Sequence, residues 1–309
     1  MPHRTAADSP RMARFVPRLL RFCGRVLRDF FFRSHGLVLT GAVAYNMMLS
    51  LIPLSAVLMV VFSHFFPQEL LMESLTSEVN LITPGFGKTL AEVLEGFLRN
   101  RQVVGWIGGI GLVFFSSLAF RVLEDSIAII FNRRLPDLKR AFWVSALMPY
   151  LFILIFAFGL IIITSANALI DASRTMKHVP PQLGALIQNH LGMIIYIIGV
   201  LGQILLFTLL YKIMPVAKVS FRRALAGGFT AAILWEIIRH LLVSYYTRIS
   251  VVNVVYGSMA TIIIVLLTLE AVALVILLGA QVIADLQRNA NCGLPWHVDP
   301  EALDESEKH

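Results

Sequence analysis

The residues with the capacity for chemistry are ionisable groups set inside apolar stretches. Glu236, Arg239 and His240 interrupt the apolar run 224–246, and Glu270 sits near the middle of a second run, 257–284. A third group, Arg121, Glu124 and Asp125, lies late in the run 103–131. An acid, a guanidinium and an imidazole at i, i+3 and i+4 share one helix face. In an apolar medium such groups are costly, and they mark a solute path, a proton relay or ion pairs that fix helix register. Arg239, His240 and Arg121 are the candidate counter-charges for Glu236 and Glu270. For Glu236 and Arg239 the pathway and register readings stay open together. Arg121, Glu124 and Asp125 lie toward the inner end of their run, where a structural ion pair is the expectation. Asn46 and Ser50, at i and i+4, extend a polar stripe that includes Tyr45 and Ser55 and either glues helices or lines a cavity.

The elements that carry these residues are membrane spans. The chain is 57% hydrophobic and 15% charged, with a mean hydropathy of +0.76, whereas soluble domains run at about 45–50% apolar and about 25% charged. Spanning takes roughly 20 apolar residues. The predicted fold is all-α: a polytopic membrane protein with six transmembrane helices, about 37–65, 103–131, 142–170, 190–211, 224–246 and 257–284. A disordered stretch (1–10) and a basic amphipathic helix (11–35) precede this membrane domain (36–286), and a polar, acidic tail (287–309) follows it. Pro53 predicts a kink or break in the first span. Gly105, Gly108, Gly109 and Gly111 predict close helix approach in the second. Between these spans, segment 67–102 holds Leu90, Val93, Leu94, Phe97 and Leu98 at helical spacing, which predicts one short amphipathic helix. The first apolar run, 36–66, exceeds a signal-peptide core of about 7–15 residues, so it is expected to remain as an anchor.

Charge sets the orientation. The chain carries 26 Lys and Arg against 19 Asp and Glu. The basic residues concentrate before the first span, in the loops around Pro136 and Lys218, and in the tail. All of these fall on one side of a six-span topology, so both termini are expected in the cytoplasm. That distribution is a topology signal and does not form a nucleic-acid patch. Arg11, Arg14, Arg18, Arg21, Arg25 and Arg28 recur every three or four residues beside a stripe of Phe15, Leu19, Phe22, Val26 and Phe30. Such a helix is expected to lie on the inner leaflet, held by anionic headgroups; packing on the protein's own spans is the alternative. Cys23 and Cys292 are expected to be reduced cytoplasmic thiols.

No H-x-H, H-E-x-x-H, C-x-x-C, phosphate-loop or G-x-S-x-G pattern occurs. Neither enzymatic activity, a metal nor a cofactor is expected. Three blocks resemble the YihY/virulence factor BrkB family of bacterial inner-membrane proteins. The first runs from Gly41-Ala42-Val43-Ala44-Tyr45 to Leu49-Ser50-Leu51-Ile52-Pro53. The second is the glycine-rich start of span two with 121–132. The third joins Leu210-Tyr211-Lys212-Ile213-Met214-Pro215, Ala226-Gly227-Gly228, Leu234-Trp235-Glu236, Tyr256-Gly257-Ser258 and Leu277-Leu278-Gly279-Ala280-Gln281. Gln281 stands where the family pattern has Glu, and Glu270 where it has an aromatic or apolar residue. The resemblance implies a six-span protein of the cytoplasmic membrane linked to envelope integrity. Members once carried the label of a transfer-RNA processing ribonuclease, which the missing metal-ligand motifs disfavour here. The sequence thus points to a transporter-like or channel-like protein for a small solute or lipid, with an envelope scaffold as the alternative.

Overall fold

The computed structural model describes residues 9–62, 67, 72–73, 75–77, 86–99, 101–131, 147, 150–152, 154–155, 181–215, 219–248 and 259–299. Every secondary-structure element among them is a helix. Helix α1 (Ser9–Arg28) continues into a π-helical turn, Asp29–Arg33. Then come α2 (Gly36–Phe62), α3 (Phe86–Arg99), α4 (Arg101–Ile130), α5 (Pro181–Ile213), α6 (Phe221–Arg248) and α7 (Met259–Asn291). Within α2, α6 and α7, the stretches Gly36–Val57, Phe221–Tyr245 and Ile262–Asn291 are long and apolar enough to cross a bilayer. The expected span at 142–170 lies almost wholly outside the described residues, as do 1–8 and 300–309.

Helix α2 passes through Pro53 without a break. Its hydroxyls fold back onto its own carbonyls: Thr40 to Gly36 at 2.7 Å, Ser50 to Asn46 at 2.8 Å and Ser55 to Leu51 at 2.6 Å. No hydroxyl of this set is left without a partner where water is scarce. The Ser50 hydroxyl also accepts the Ala119 amide at 3.2 Å, tying α2 to α4. Helix α3 confirms the short amphipathic helix in 67–102. Its Leu90 and Leu94 are buried in a satellite cluster with Ala56 of α2.

Helix α7 is the central element and touches α1, the π turn, α2, α4 and α6. Ala273, Leu277, Ala280 and Ile283 of α7 are fully buried among Val43 of α2, Ile127 of α4, Tyr211 of α5 and Ala231 of α6. Close approach of α5 and α6 to α7 depends on glycine at two places. A Cβ on Gly227 of α6 would strike Ile283 and lie 2.9 Å from the Gly279 carbonyl oxygen, and one on Gly279 would strike the Tyr211 hydroxyl. The Tyr211 hydroxyl donates to the Ile276 carbonyl at 2.8 Å, which pins α5 to α7. The glycines of α4 do not repeat this at Gly111, where a Cβ meets open space; the side-chain surroundings of Gly105, Gly108 and Gly109 lie outside the described residues.

At the start of α2 the chain turns sharply. The Ser34 amide closes the π turn on the Asp29 carbonyl at 2.9 Å, and His35 takes a left-handed φ of 50°. The buried Phe30 ring covers Gly36 so closely that no Cβ fits there. This fold-back brings Asp29 and Ser34 against the last turns of α7.

Candidate functional site

Two polar regions stand out, and the sequence pointed to only one. On α6 the Arg239 guanidinium donates to Glu236 at 2.8 Å, and the His240 ring nitrogen Nδ1 lies 2.7 Å from the Glu236 carbonyl oxygen. The Glu236 side chain is 24% exposed, whereas Arg239 is 43% and His240 73% exposed. The group is therefore a local ion pair on the flank of α6. Glu270 is exposed on α7 and makes no ion pair or hydrogen bond among the described residues. On α4, Arg121 and Glu124 are half-buried, neither without a partner, and Asp125 is exposed. Asn46 donates to the Ala42 carbonyl at 2.8 Å, and Ser50 makes the α2–α4 link described above.

The second region sits at the α1 end of the bundle. Gln281, Asp285 and Arg288 recur at helical spacing on α7 and face the π turn. The Ser34 hydroxyl donates to Gln281 Oε1 at 3.0 Å, and Gln281 Nε2 donates to Asp285 Oδ1 at 2.9 Å. Asp29 is held by Arg28 at 3.1 Å and by Arg288 at 3.8 Å. Asp29 and Asp285 are each only 4% exposed. A cavity of about 390 Å³ opens between these groups, walled by Ser34, Gln281, Asp285 and Arg288 on one side and by Ile129, Ile130 and Phe131 at the end of α4 on the other. That volume lies in the range of small-molecule sites. Asp285 Oδ2 and Gln287 Oε1, on two of the lining residues, are buried without a hydrogen-bond partner. Asp285 has no ion-pair partner among the described residues, unlike Asp29.

Beside this cavity the segment after α7 folds back onto α1. The Arg25 guanidinium donates to the Trp296 carbonyl at 3.0 Å and to the Val298 carbonyl, and stands over the Phe22 ring at 5.2 Å. Asn289 donates to the Pro295 and Val298 carbonyls at 2.8 and 2.9 Å. Arg28 reaches Asp299 at 3.1 Å. Phe22 and Val26 are buried against Val282, Leu286 and Trp296, with Phe22 and Trp296 edge to face at 5.7 Å. The predicted arginine stripe therefore divides. Arg25 is buried on the protein's own carbonyls, and Arg18, Arg21 and Arg28 are exposed. The side chains of Arg11 and Arg14 lie outside the described residues. Helix α7 and its following turn also run to residue 299, past the expected start of the tail at 287, because this return path satisfies their backbone carbonyls.

Sequence reading passed over Asp29, Asp285, Gln287 and Arg288. Their available signals were the helical spacing of Gln281, Asp285 and Arg288, and the unusual residue at 281. Among the described residues no three His, Cys, Asp or Glu side chains are grouped as metal ligands.

Residues 30–297 match the sequence profile of the family described as Virulence factor BrkB. Curated relatives carry the name UPF0761 membrane protein. The one from Mannheimia succiniciproducens is 28% identical over 247 residues, covering 80% of this chain and 83% of its own. That from Psychromonas ingrahamii is 29% identical over 252 residues, covering 80% and 81%. That from Rhodospirillum centenum is 25% identical over 279 residues, covering 88% of this chain but 59% of its own. No solved structure matches. With most of its length inside the profile and its helices of spanning length, the chain belongs to the virulence factor BrkB family, the YihY/BrkB group of membrane proteins.

Proposed function

We propose that this protein is a six-span protein of the bacterial inner membrane that works in transporter-like or channel-like fashion on a small solute or lipid, in the service of envelope integrity. The observation behind the reading is the cavity at the α1 end. A highly apolar chain holds buried carboxylates and amides around an opening large enough for a small molecule, and such groups are retained in membrane proteins chiefly where something polar passes or binds. The Lys and Arg distribution supports a cytoplasmic position for this end and for both termini. Exposed Arg18 and Arg21 supply positive charge for anionic headgroups of the inner leaflet. The protein catalyses no covalent chemistry in this reading, and RNA processing ranks last.

A non-transporting scaffold is the second reading. The close contacts at Gly227 and Gly279 favour it, because they pack α5 and α6 against α7 with no space for a solute at those points. Thiol accessibility distinguishes the two. Cys23 and Cys292, both exposed, are replaced by serine, and single cysteines are placed at Asn46, Ser117, Ala232 and Thr268. A membrane-impermeant thiol reagent is then added from each side. Labelling at these sites is the outcome for a transport path. Labelling of loop controls alone leaves the scaffold.

A further inference from the structure

We propose that the cavity beside Asp285 is a headgroup site for an aminophospholipid, a zwitterion carrying a primary ammonium and a phosphodiester. The inference rests on the reading of this cavity as a solute or lipid site and names the ligand class. Its two unsatisfied groups, Asp285 Oδ2 and Gln287 Oε1, are both acceptors, on residues 4% and 8% exposed. The ligand must therefore bring hydrogen-bond donors. Asp285 Oδ1 is already occupied by the Gln281 amide, a neutral donor. Arg25 and Arg288 act on the carboxylate only from beyond ion-pair distance, and among the described residues it has no ion-pair partner. A buried carboxylate without one is costly, and a primary ammonium supplies both the charge and several N–H donors.

A bare ion or a single water fits the chemistry of those acceptors but not the space. The cavity, about 390 Å³, is many times one water's share of liquid volume, about 30 Å³. The rest of its wall matches the rest of a headgroup. Arg33 and Arg288 line it and carry the positive charge that a phosphodiester needs. Ile129 and Phe131, at the end of α4, provide an apolar side toward which the glycerol and acyl carbons can lie. Ser34 stands two residues before the start of α2, and Gln281 begins the polar last turns of α7, which puts the cavity at headgroup level.

The test uses the full chain in nanodiscs, with lipids extracted after washing and quantified by mass spectrometry. Mixtures pair phosphatidylglycerol with phosphatidylethanolamine, its N,N-dimethyl derivative or phosphatidylcholine. Retention is expected to fall stepwise as N–H donors are methylated away, with phosphatidylethanolamine held at least about tenfold over phosphatidylcholine, the ratio that a charge-assisted hydrogen bond supports. Asp285→Asn and, separately, Gln287→Leu are expected to abolish the preference. Equal retention of the three lipids by the unaltered chain overturns the proposal and needs no variant to fold. So does a preference that survives both substitutions. In phosphatidylcholine nanodiscs, thermal stabilisation by free ethanolamine or sodium ions equal to that given by phosphatidylethanolamine also overturns it, since the site then takes a small cation. A headgroup preference without thiol labelling at mid-depth would retain this site and discard transport; labelling without a preference would do the reverse.

Discussion

Replacing Gly279 by alanine puts a methyl group where Tyr211 stands. The added carbon falls on the tyrosine hydroxyl and lies 2.8 Å from Cζ and 3.1 Å from Cε2, inside the 3.4 Å at which ordinary contact begins. The ring has no easy retreat, because Tyr211 is fully buried and bonded to the Ile276 carbonyl at 2.8 Å. Overpacking of this kind costs about 3 kcal/mol at the severe end of its range. Breaking the tyrosine hydrogen bond adds about 1 kcal/mol, and alanine's better helix propensity returns about 1 kcal/mol. The expected net loss is about 3 kcal/mol. Tyr211→Phe alone is expected to cost about 1 kcal/mol, since the Ile276 carbonyl keeps its place in the helix ladder. The double variant should lose at least about 1 kcal/mol less than the two singles together: the hydrogen bond is lost only once, and the nearest overlap is gone. Equilibrium unfolding by dodecyl sulfate in mixed micelles, followed by tryptophan fluorescence, measures all three. An alanine that stabilises the protein by its full helix propensity, or strict additivity in the double variant, refutes the packing described for α5 and α7.

Four other perturbations have expected outcomes. Gln281→Leu removes the only hydrogen-bond donor to Asp285 among the described residues and leaves the Ser34 hydroxyl without its acceptor; a loss of about 1–3 kcal/mol is expected in the same unfolding assay. Glu236→Gln and Arg239→Gln should each lower thermal stability in nanodiscs more than the double variant does, because a single change leaves one charge unpaired on the flank of a spanning helix. Arg25→Ala is expected to free the segment after α7 and speed its cleavage in limited proteolysis; Arg25→Lys should rescue this only in part, since one ammonium replaces a fork that reaches two carbonyls. Cys23 and Cys292, which flank the same end of the bundle, should react with an impermeant thiol reagent from one side of the membrane only, in oriented vesicles.

The helices were legible because their apolar runs are long, and depth along a run can be counted. Rotation about the helix axis cannot. Glu236 and Glu270 stand near the middle of their runs, but α6 and α7 are apolar on nearly every face, so nothing local says which way either acid points. The structure turns Glu270 outward and leaves Glu236 on the flank. In α3, by contrast, Leu90 and Leu94 alternate with Lys88, Glu92 and Glu95, and that contrast identified both as buried, although Val93 of the same predicted stripe is exposed. The cavity at the α1 end was missed for a related reason. Asp285 ends an apolar run, and Gln287 and Arg288 read as the start of a solvated tail. Their burial depends on Asp29 and Ser34, which lie roughly 250 positions earlier and arrive through the fold-back at His35. Arg25 shows the same blindness: its spacing marked it as a headgroup ligand, and its acceptors come from the far end of the chain.

The clasp between Arg25 and the carbonyls of Trp296 and Val298 imposes an order of assembly. Its two sides are 273 positions apart in the Val298 bond, so at about 5–20 residues per second the second side leaves the ribosome tens of seconds after the first. Throughout that interval Phe22 and Val26 lack Trp296, and the guanidinium lacks its acceptors. Nascent α1 must meanwhile rest on lipid or a chaperone. Closure of the clasp thus waits for synthesis through Val298, and any chain that stops short of Trp296 displays an uncovered aromatic and basic helix.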